Sequence, residues 1–288
     1  MTTATASSAH DPARARVQRA SHLVYGAAAA GLGVLCLIAG DLGYVFQPVP
    51  GWLPLRPWLP YVSGAVLVAG GLALLVRVTT RLAALVLTLH FCAWLLLFNV
   101  PNTLATPMVV GNWEGCGLNA TVVAGGWLLL VSSRRSPAGH AARLLGDRGA
   151  RLARRLYAVG LPLVGLAHFM GADEATAYVP TWLPLRVGWV YLTGAGHVAA
   201  GLAILFGVLP RLAAVLEAGQ ITAFVILAHV PAVHGAPGDR LQWAMLVYAL
   251  SIAASAWLVA ASGGTAAFTR FAMSCSTRSP REAPREPT

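Results

Sequence analysis

The chain contains no lysine, and acidic residues are scarce: Asp and Glu together number 10 in 288 residues, and charged residues of all kinds make up only 10%. A soluble domain carries about 25% charged residues, so this composition excludes an ordinary water-soluble globular protein. The four cysteines form no CxxC pair. Cys36, Cys92 and Cys275 fall at expected membrane or cytoplasmic positions and only Cys116 near the outer face, which leaves no disulfide framework. Also absent are a Walker loop, GxSxG, HExxH and a GxGxxG followed by an acidic residue in a usable context. Nucleotide, serine-hydrolase and zinc-protease chemistry therefore have no sequence support.

What fills the chain instead is apolar. Hydrophobic residues make up 57%, with a mean hydropathy of +0.67. Eight runs approach the ~20 apolar residues that a helix needs to cross the hydrocarbon core. They lie at 22–46, 58–77, 81–100, 112–132, 153–171, 187–208, 211–230 and 241–262. The fifth is the weakest, with Pro162 inside it and Arg154 and Arg155 at its start.

The net charge of +10 is a statement about orientation. On an eight-span topology all arginines but Arg56, Arg186 and Arg240 fall on one side, in the N-terminal tail, the turns at Arg77–Arg81 and Arg211, the connector from Arg134 to Arg155, and the C-terminal tail. This is the positive-inside pattern, which places both termini in the cytoplasm of a bacterial inner membrane. The lipid bilayer is the expected partner, with weak attraction to anionic lipid; a nucleic-acid partner is not expected. A cleaved signal peptide fits poorly, because the apolar run after residues 1–20 is full span length.

Internal repetition organises the rest. Trp52-Leu53-Pro54-Leu55-Arg56 returns as Trp182-Leu183-Pro184-Leu185-Arg186, a shift of 182 − 52 = 130. Val49-Pro50, Tyr61, Gly64-Ala65, Arg81-Leu82-Ala83-Ala84 and Val100-Pro101 return at the same shift. A duplication of this kind fixes the fold before any other feature. The expected architecture is an all-α integral membrane protein with eight transmembrane helices, arranged as two tandem four-helix bundles in a parallel internal repeat. Its parts are a disordered cytoplasmic tail at 1–20, a first unit at 21–133, an Arg-rich cytoplasmic connector at 134–152, a second unit at 153–262 and a disordered tail at 263–288. Each Trp-Leu-Pro-Leu-Arg segment suits an outer membrane interface. Trp52 and Trp182 would sit at headgroup level, and Arg56 and Arg186 would snorkel to phosphate.

The order His168-Phe169, Val179-Pro180-x-Trp182-Leu183-Pro184, Tyr191-Leu192-Thr193-Gly194, Gly201-Leu202, Arg211-Leu212-Ala213-Ala214 and Val230-Pro231 resembles the DoxX family of four-span membrane proteins. The first half resembles it through Val49-Pro50-x-Trp52-Leu53-Pro54, Ser63-Gly64, Arg81-Leu82-Ala83-Ala84 and Asn99-Val100-Pro101-Asn102. The resemblance covers nearly the whole ordered chain. It implies a membrane subunit or a small lipid- or quinone-binding module of a redox-linked complex, with a membrane or peripheral redox protein as partner. Relatives often carry an acidic residue soon after the second-span Gly, where this chain has Leu67 and His197.

Ionisable groups at bilayer depth cost roughly 3 kcal/mol or more unless paired, so each is a candidate functional residue. His197 lies eleven residues from Arg186, or roughly 16 Å along a helix, close to the midplane. Glu217 and Gln220 share a helix face through their i, i+3 spacing, and His168 sits in the outer third of its span. These four are expected to line one cavity, and with His90 they make five candidate ligand-binding residues. At the 130-residue shift Glu217 faces Leu87, His197 faces Leu67 and Gln220 faces His90, and with a one-residue gap His168 faces Leu37. The first copy therefore keeps only His90 at depth and is otherwise expected to be apolar.

Three readings compete for the cluster. The polar groups could hydrogen-bond neighbouring helices and specify packing, each bond contributing about 1 kcal/mol. They could bind a ligand, with quinone the candidate, and relay its protons. Or His168, His197 and Glu217 could hold zinc or iron, which no HxxxH or ExxH spacing supports. No cofactor is firmly implied and no metal is assigned. Small-solute transport is a further alternative to a redox-linked function. Trp113-Glu114, opening the fourth span, reads as an interface anchor.

Overall fold

The computed structural model describes residues 12–43, 47–133 and 144–262. Among these there is no strand, and eight long helices follow one another. They are α1 (Pro12–Ala39), α2 (Leu59–Leu74), α3 (Thr80–Ala105), α4 (Val110–Ser132), α5 (Asp147–Met170), α6 (Arg186–Phe206), α7 (Pro210–Gly235) and α8 (Arg240–Ser262). Six of them, all but α2 and α5, are long and apolar enough to cross a membrane. α2 has only 16 residues, and α5 carries the arginines of its opening turns. The protein is a helical membrane protein.

Helix ends follow local chemistry. α1 begins at Pro12, where a proline's missing N–H is no loss, and stops before Gly40, whose φ of +58° is the left-handed conformation that closes helices. The expected tail at 1–20 is therefore helical from residue 12, since nothing between Pro12 and the apolar run breaks a helix. α5 likewise starts at Asp147, inside the expected connector. Residues 1–11, 44–46, 134–143 and 263–288, which include most of both expected tails and half the connector, lie outside the described residues.

Two helices run further than their sequences suggest. The third and seventh spans were expected to end at Val100-Pro101 and Val230-Pro231, yet helix continues to Ala105 and Gly235. A wider π turn precedes each proline, at Leu95–Asn99 and Val225–His229. The wider turn absorbs the clash that a proline ring makes with the preceding turn. Pro162 is accommodated differently. It leaves the Ala158 carbonyl without its usual donor, and Gly201 of α6 packs against that oxygen, where a Cβ would lie 2.7 Å away.

Glycine sets how closely the helices approach. A Cβ on Gly33 would meet the Gly64 carbonyl at 2.5 Å, and one on Gly165 would meet the Gly194 carbonyl at 2.6 Å. These are the same α1–α2 and α5–α6 contact in the two halves. Tyr25 and Tyr157, both fully buried, also occupy matching places. The offset between first spans is thus 165 − 33 = 132, matching 157 − 25. His168 accordingly stands opposite Cys36, not Leu37, because the loop after α5 is two residues shorter than the one after α1.

The two halves do not close separately. Each helix packs on its chain neighbours, but α1 closes against α8, α5 against α4, and α4 and α8 touch each other. α5 meets the last helix of its own half only slightly. In the most apolar stretch of α4 and of α8, 72% of the residues are buried inside the protein, against 33–44% in α1, α3, α6 and α7. The fold is a ring of eight helices folded over a central α4–α8 pair. Arg240 of α8 reinforces the exchange by donating to the Asp41 and Leu42 carbonyls after α1 at 3.0 and 2.9 Å.

These contacts predict a contrast between two glycines. Gly160→Ala pushes a methyl onto the Gly117 carbonyl of α4, 2.7 Å away, and overpacking of this kind costs about 1–3 kcal/mol. Gly219→Ala in α7 meets nothing within 4 Å and should leave stability unchanged or slightly raised. Thermal melting of both variants in detergent checks the difference.

Candidate functional site

Near the middle of α6, His197 faces Glu217 of α7. The His197 Nδ1 and Glu217 Oε1 atoms lie 2.7 Å apart, with the two side chains 3% and 1% exposed. That separation is the length of a charge-assisted hydrogen bond. The sequence favours the approach locally: glycines at 194 and 201 seat α6 against α5, and Gly196 leaves room for the Gln220 amide of α7.

His168 of α5 joins the pair from the end of the bundle that bears the two Trp-Leu-Pro-Leu-Arg segments, called here the WLPLR end. Its ring centroid lies 5.1 Å from that of His197. Phe224 stacks on His168 at 6.2 Å with a 19° interplanar angle, and meets the His197 ring edge-on at 5.9 Å. His168 Nδ1 lies 3.0 Å from the Val164 carbonyl. A carbonyl only accepts, so Nδ1 carries the proton and Nε2 is the nitrogen left for other chemistry.

Three shielded polar atoms in this region lack a hydrogen-bond partner: His197 Nε2, Glu217 Oε2 and the Tyr157 hydroxyl. Tyr157 sits within electrostatic range of Glu217. Its counterpart Tyr25 donates to the Val122 carbonyl of α4 at 3.0 Å. Orphaned buried polar groups are rare in folded proteins, because each forfeits its hydration. These three lie at or near one hydrogen-bonded pair.

The five residues expected to share a ligand site divide. His168, His197 and Glu217 come together. Gln220 lies on the same side of α7 but donates to the Thr193 carbonyl of α6 at 3.0 Å, a helix-to-helix tie. His90 belongs to a separate network in the first half. Trp94 Nε1 donates to His90 Nε2 at 3.0 Å, Ser63 Oγ lies 3.1 Å from the same nitrogen, and Gln47 Nε2 donates to Ser63 Oγ at 2.5 Å. Gln47 Oε1 in turn accepts from the Gly43 N–H at 3.1 Å and from the Cys36 thiol at 3.6 Å.

The first half is therefore not apolar apart from His90. Gln47, Ser63, Asn99 and Asn119 are all buried there. Gln47 was illegible because it lies in the loop between α1 and α2, where no periodicity shows which way a side chain turns. Even so, the places of the second-half ion pair are held by Leu67 and Leu87, both fully buried.

Glu114 is the residue that sequence reasoning missed. It is half-buried and lies within electrostatic range of His197, although it belongs to α4 and was assigned to the interface. Because α4 packs on α5, the first half lends a carboxylate to the second. The interface anchors behave less uniformly than their shared motif suggests. Trp52 and Trp182 are exposed on the surface, at 78% and 69%. Arg56 lies 3.7 Å from Asp41 with both side chains half-exposed. Arg186 turns back to the Val179 carbonyl at 3.0 Å and the Thr176 carbonyl at 2.5 Å, so it fastens its own loop instead of reaching outward.

Among the described residues no group of three or more His, Cys, Asp or Glu is placed to hold a metal ion. No family model matches the sequence, and no curated protein and no solved structure is similar to it.

Replacing one partner of the pair should be worse than replacing both. His197→Leu strands a buried carboxylate at a cost of about 3–5 kcal/mol. The double variant His197→Leu, Glu217→Leu should melt near the wild-type temperature, because Leu67 and Leu87 fill the same places in the first half. A double variant as unstable as the single one would make the pair a packing device.

Proposed function

We propose that this chain is an eight-span protein of the bacterial inner membrane with both termini cytoplasmic. In this reading it is built from two tandem DoxX-like units and serves as a small lipid- or quinone-binding module of a redox-linked membrane complex. The order and spacing of the repeated motifs support the DoxX likeness, and the arginine asymmetry supports the orientation. The observation that carries the binding site is the replacement of two buried leucines by a hydrogen-bonded His197–Glu217 pair with an unpartnered polar atom on each member. A packing role does not need these groups, since the other half does without them. His197 Nε2 and Glu217 Oε2 are suited to a carbonyl or hydroxyl headgroup, and the His168–Phe224 stack to a flat ring.

A second reading makes the chain a quinone-interacting oxidoreductase component. It is favoured by the pair itself: imidazole and carboxylate 2.7 Å apart can pass a proton between them, as quinone reduction and oxidation require. A redox protein partner would then supply or accept the electrons.

The test is binding of a short-chain quinone to the purified protein, followed by quenching of tryptophan fluorescence. Wild type should bind saturably, and His197→Leu, Glu217→Leu should weaken binding at least tenfold while staying folded. Ser63→Ala with His90→Leu, which alters only the first-half network, should bind as wild type does. Equal binding by wild type and the His197/Glu217 double variant would remove the assignment.

A further inference from the structure

Four successive helices each contribute one proton-active side chain to a continuous series: Glu114 on α4, His168 on α5, His197 on α6 and Glu217 on α7. Glycine contacts between neighbouring helices set the relative levels of these groups. Gly117 of α4 sits on Gly160, Leu163 and Val164 of α5, where a Cβ would lie 2.6–3.2 Å from their atoms. Glu114 is three residues nearer the WLPLR end on the same face of α4, which sets it level with the next turn of α5, at Ala167 and His168. A Cβ on Gly194 would lie 2.8 Å from the His168 Cβ, and Gly194 is one turn before His197 on α6. The last step is the 2.7 Å hydrogen bond from His197 to Glu217.

We propose that Glu114 and His168 form a proton path that loads and unloads the His197–Glu217 pair from the outer, WLPLR-bearing face. The orientation, and the use of the pair in ligand chemistry, rest on the reading given under Proposed function. On loading, Glu114 takes a proton from outer water and passes it to His168 Nε2. His168 keeps its Nδ1 proton on the Val164 carbonyl, so it receives and releases at Nε2. His197 accepts at its unpartnered Nε2 and gives its Nδ1 proton to Glu217 Oε1. One proton moves from water to the carboxyl, and both imidazoles end neutral.

The cytoplasmic side of the pair offers less. Tyr157 of α5 stands there, fully buried in the core. α8 brings Tyr248, whose electrostatic neighbours are Tyr25 and Cys116. Glu114, Tyr157, His168, His197 and Glu217 are thus the titratable groups that face one another across α4 to α7. Access from one face only also means that the site can exchange protons without short-circuiting the membrane.

The path is tested by labelling Glu217 with dicyclohexylcarbodiimide, a membrane-permeant reagent that couples to protonated carboxyl groups. Full-length protein in right-side-out and inside-out vesicles is labelled while the pH on each face is set separately, and Glu217 is quantified by peptide mass spectrometry. Labelling should accelerate as outer pH falls and should ignore cytoplasmic pH. Glu114→Gln, an isosteric change, and His168→Leu should each slow the response to outer pH at least fivefold. Labelling that follows cytoplasmic pH, that is unchanged in Glu114→Gln, or that is absent at every pH overturns the path. Quinone binding by Glu114→Gln is measured in parallel. Normal binding with no outer-pH response overturns the path alone, whereas an outer-pH response without quinone binding in wild type overturns only the ligand assignment.

Discussion

The close seating of α4 on α5, backbone against backbone at Gly117 and Gly160, is the contact from which most of the remaining arrangement follows. Inside a bilayer there is no hydrophobic difference between lipid and leucine to drive helices together, so association depends on how closely backbones can pack. Where α4 rests on α5 it crosses from one half of the chain to the other. It brings Glu114 with it, fixes the height of His168, and leaves α6 and α7 to complete the series. The matching contact of α1 with α8 closes the opposite side of the ring. With both in place, α4 and α8 become the central helices.

That arrangement explains why two halves of similar sequence do different chemistry. In the first half, Tyr25 is satisfied by a carbonyl of α4, and His90 is held in a network with Trp94, Ser63 and Gln47. In the second half Trp94 is replaced by Phe224, which cannot donate, and His90 by Gln220, which ties to backbone. The leucines at 67 and 87 become His197 and Glu217. Gln220 apart, these substitutions remove a donor or add a group with an unpartnered atom, and they do so around the His197–Glu217 pair.

Much of the framework was legible in the sequence. Helix limits fell within a few residues of the apolar runs for the second, fourth, sixth and eighth helices. They missed both ends of α1 and the start of α5, where helix extends into polar and Arg-rich sequence and a left-handed Gly40 stops α1 early. They also failed at Pro101 and Pro231, because a π turn leaves no distinctive residue pattern. The meeting of His197 with Glu217 could be read from helical rise, since two groups at similar depth on sequential helices have few other places to go. Glu114 could not be read, because nothing in the order of residues says that the fourth helix belongs with the fifth. Gln47 and the true partner of His168, Cys36, were hidden by the loop after α1, whose length differs by two residues between the halves.

The exchange of closing helices also bears on the order of assembly. α1 leaves the ribosome before α8, so α1 to α3 enter the bilayer before the helix that caps α1 has been made. The first four helices can insert but cannot complete their packing. Through that interval Gly31 and the face of α1 around it, covered in the finished protein by Val247, must be sheltered by lipid or by the insertion machinery. Synthesis of α8 then closes both halves at once, so the packing of α1 is completed only after α8 has been made.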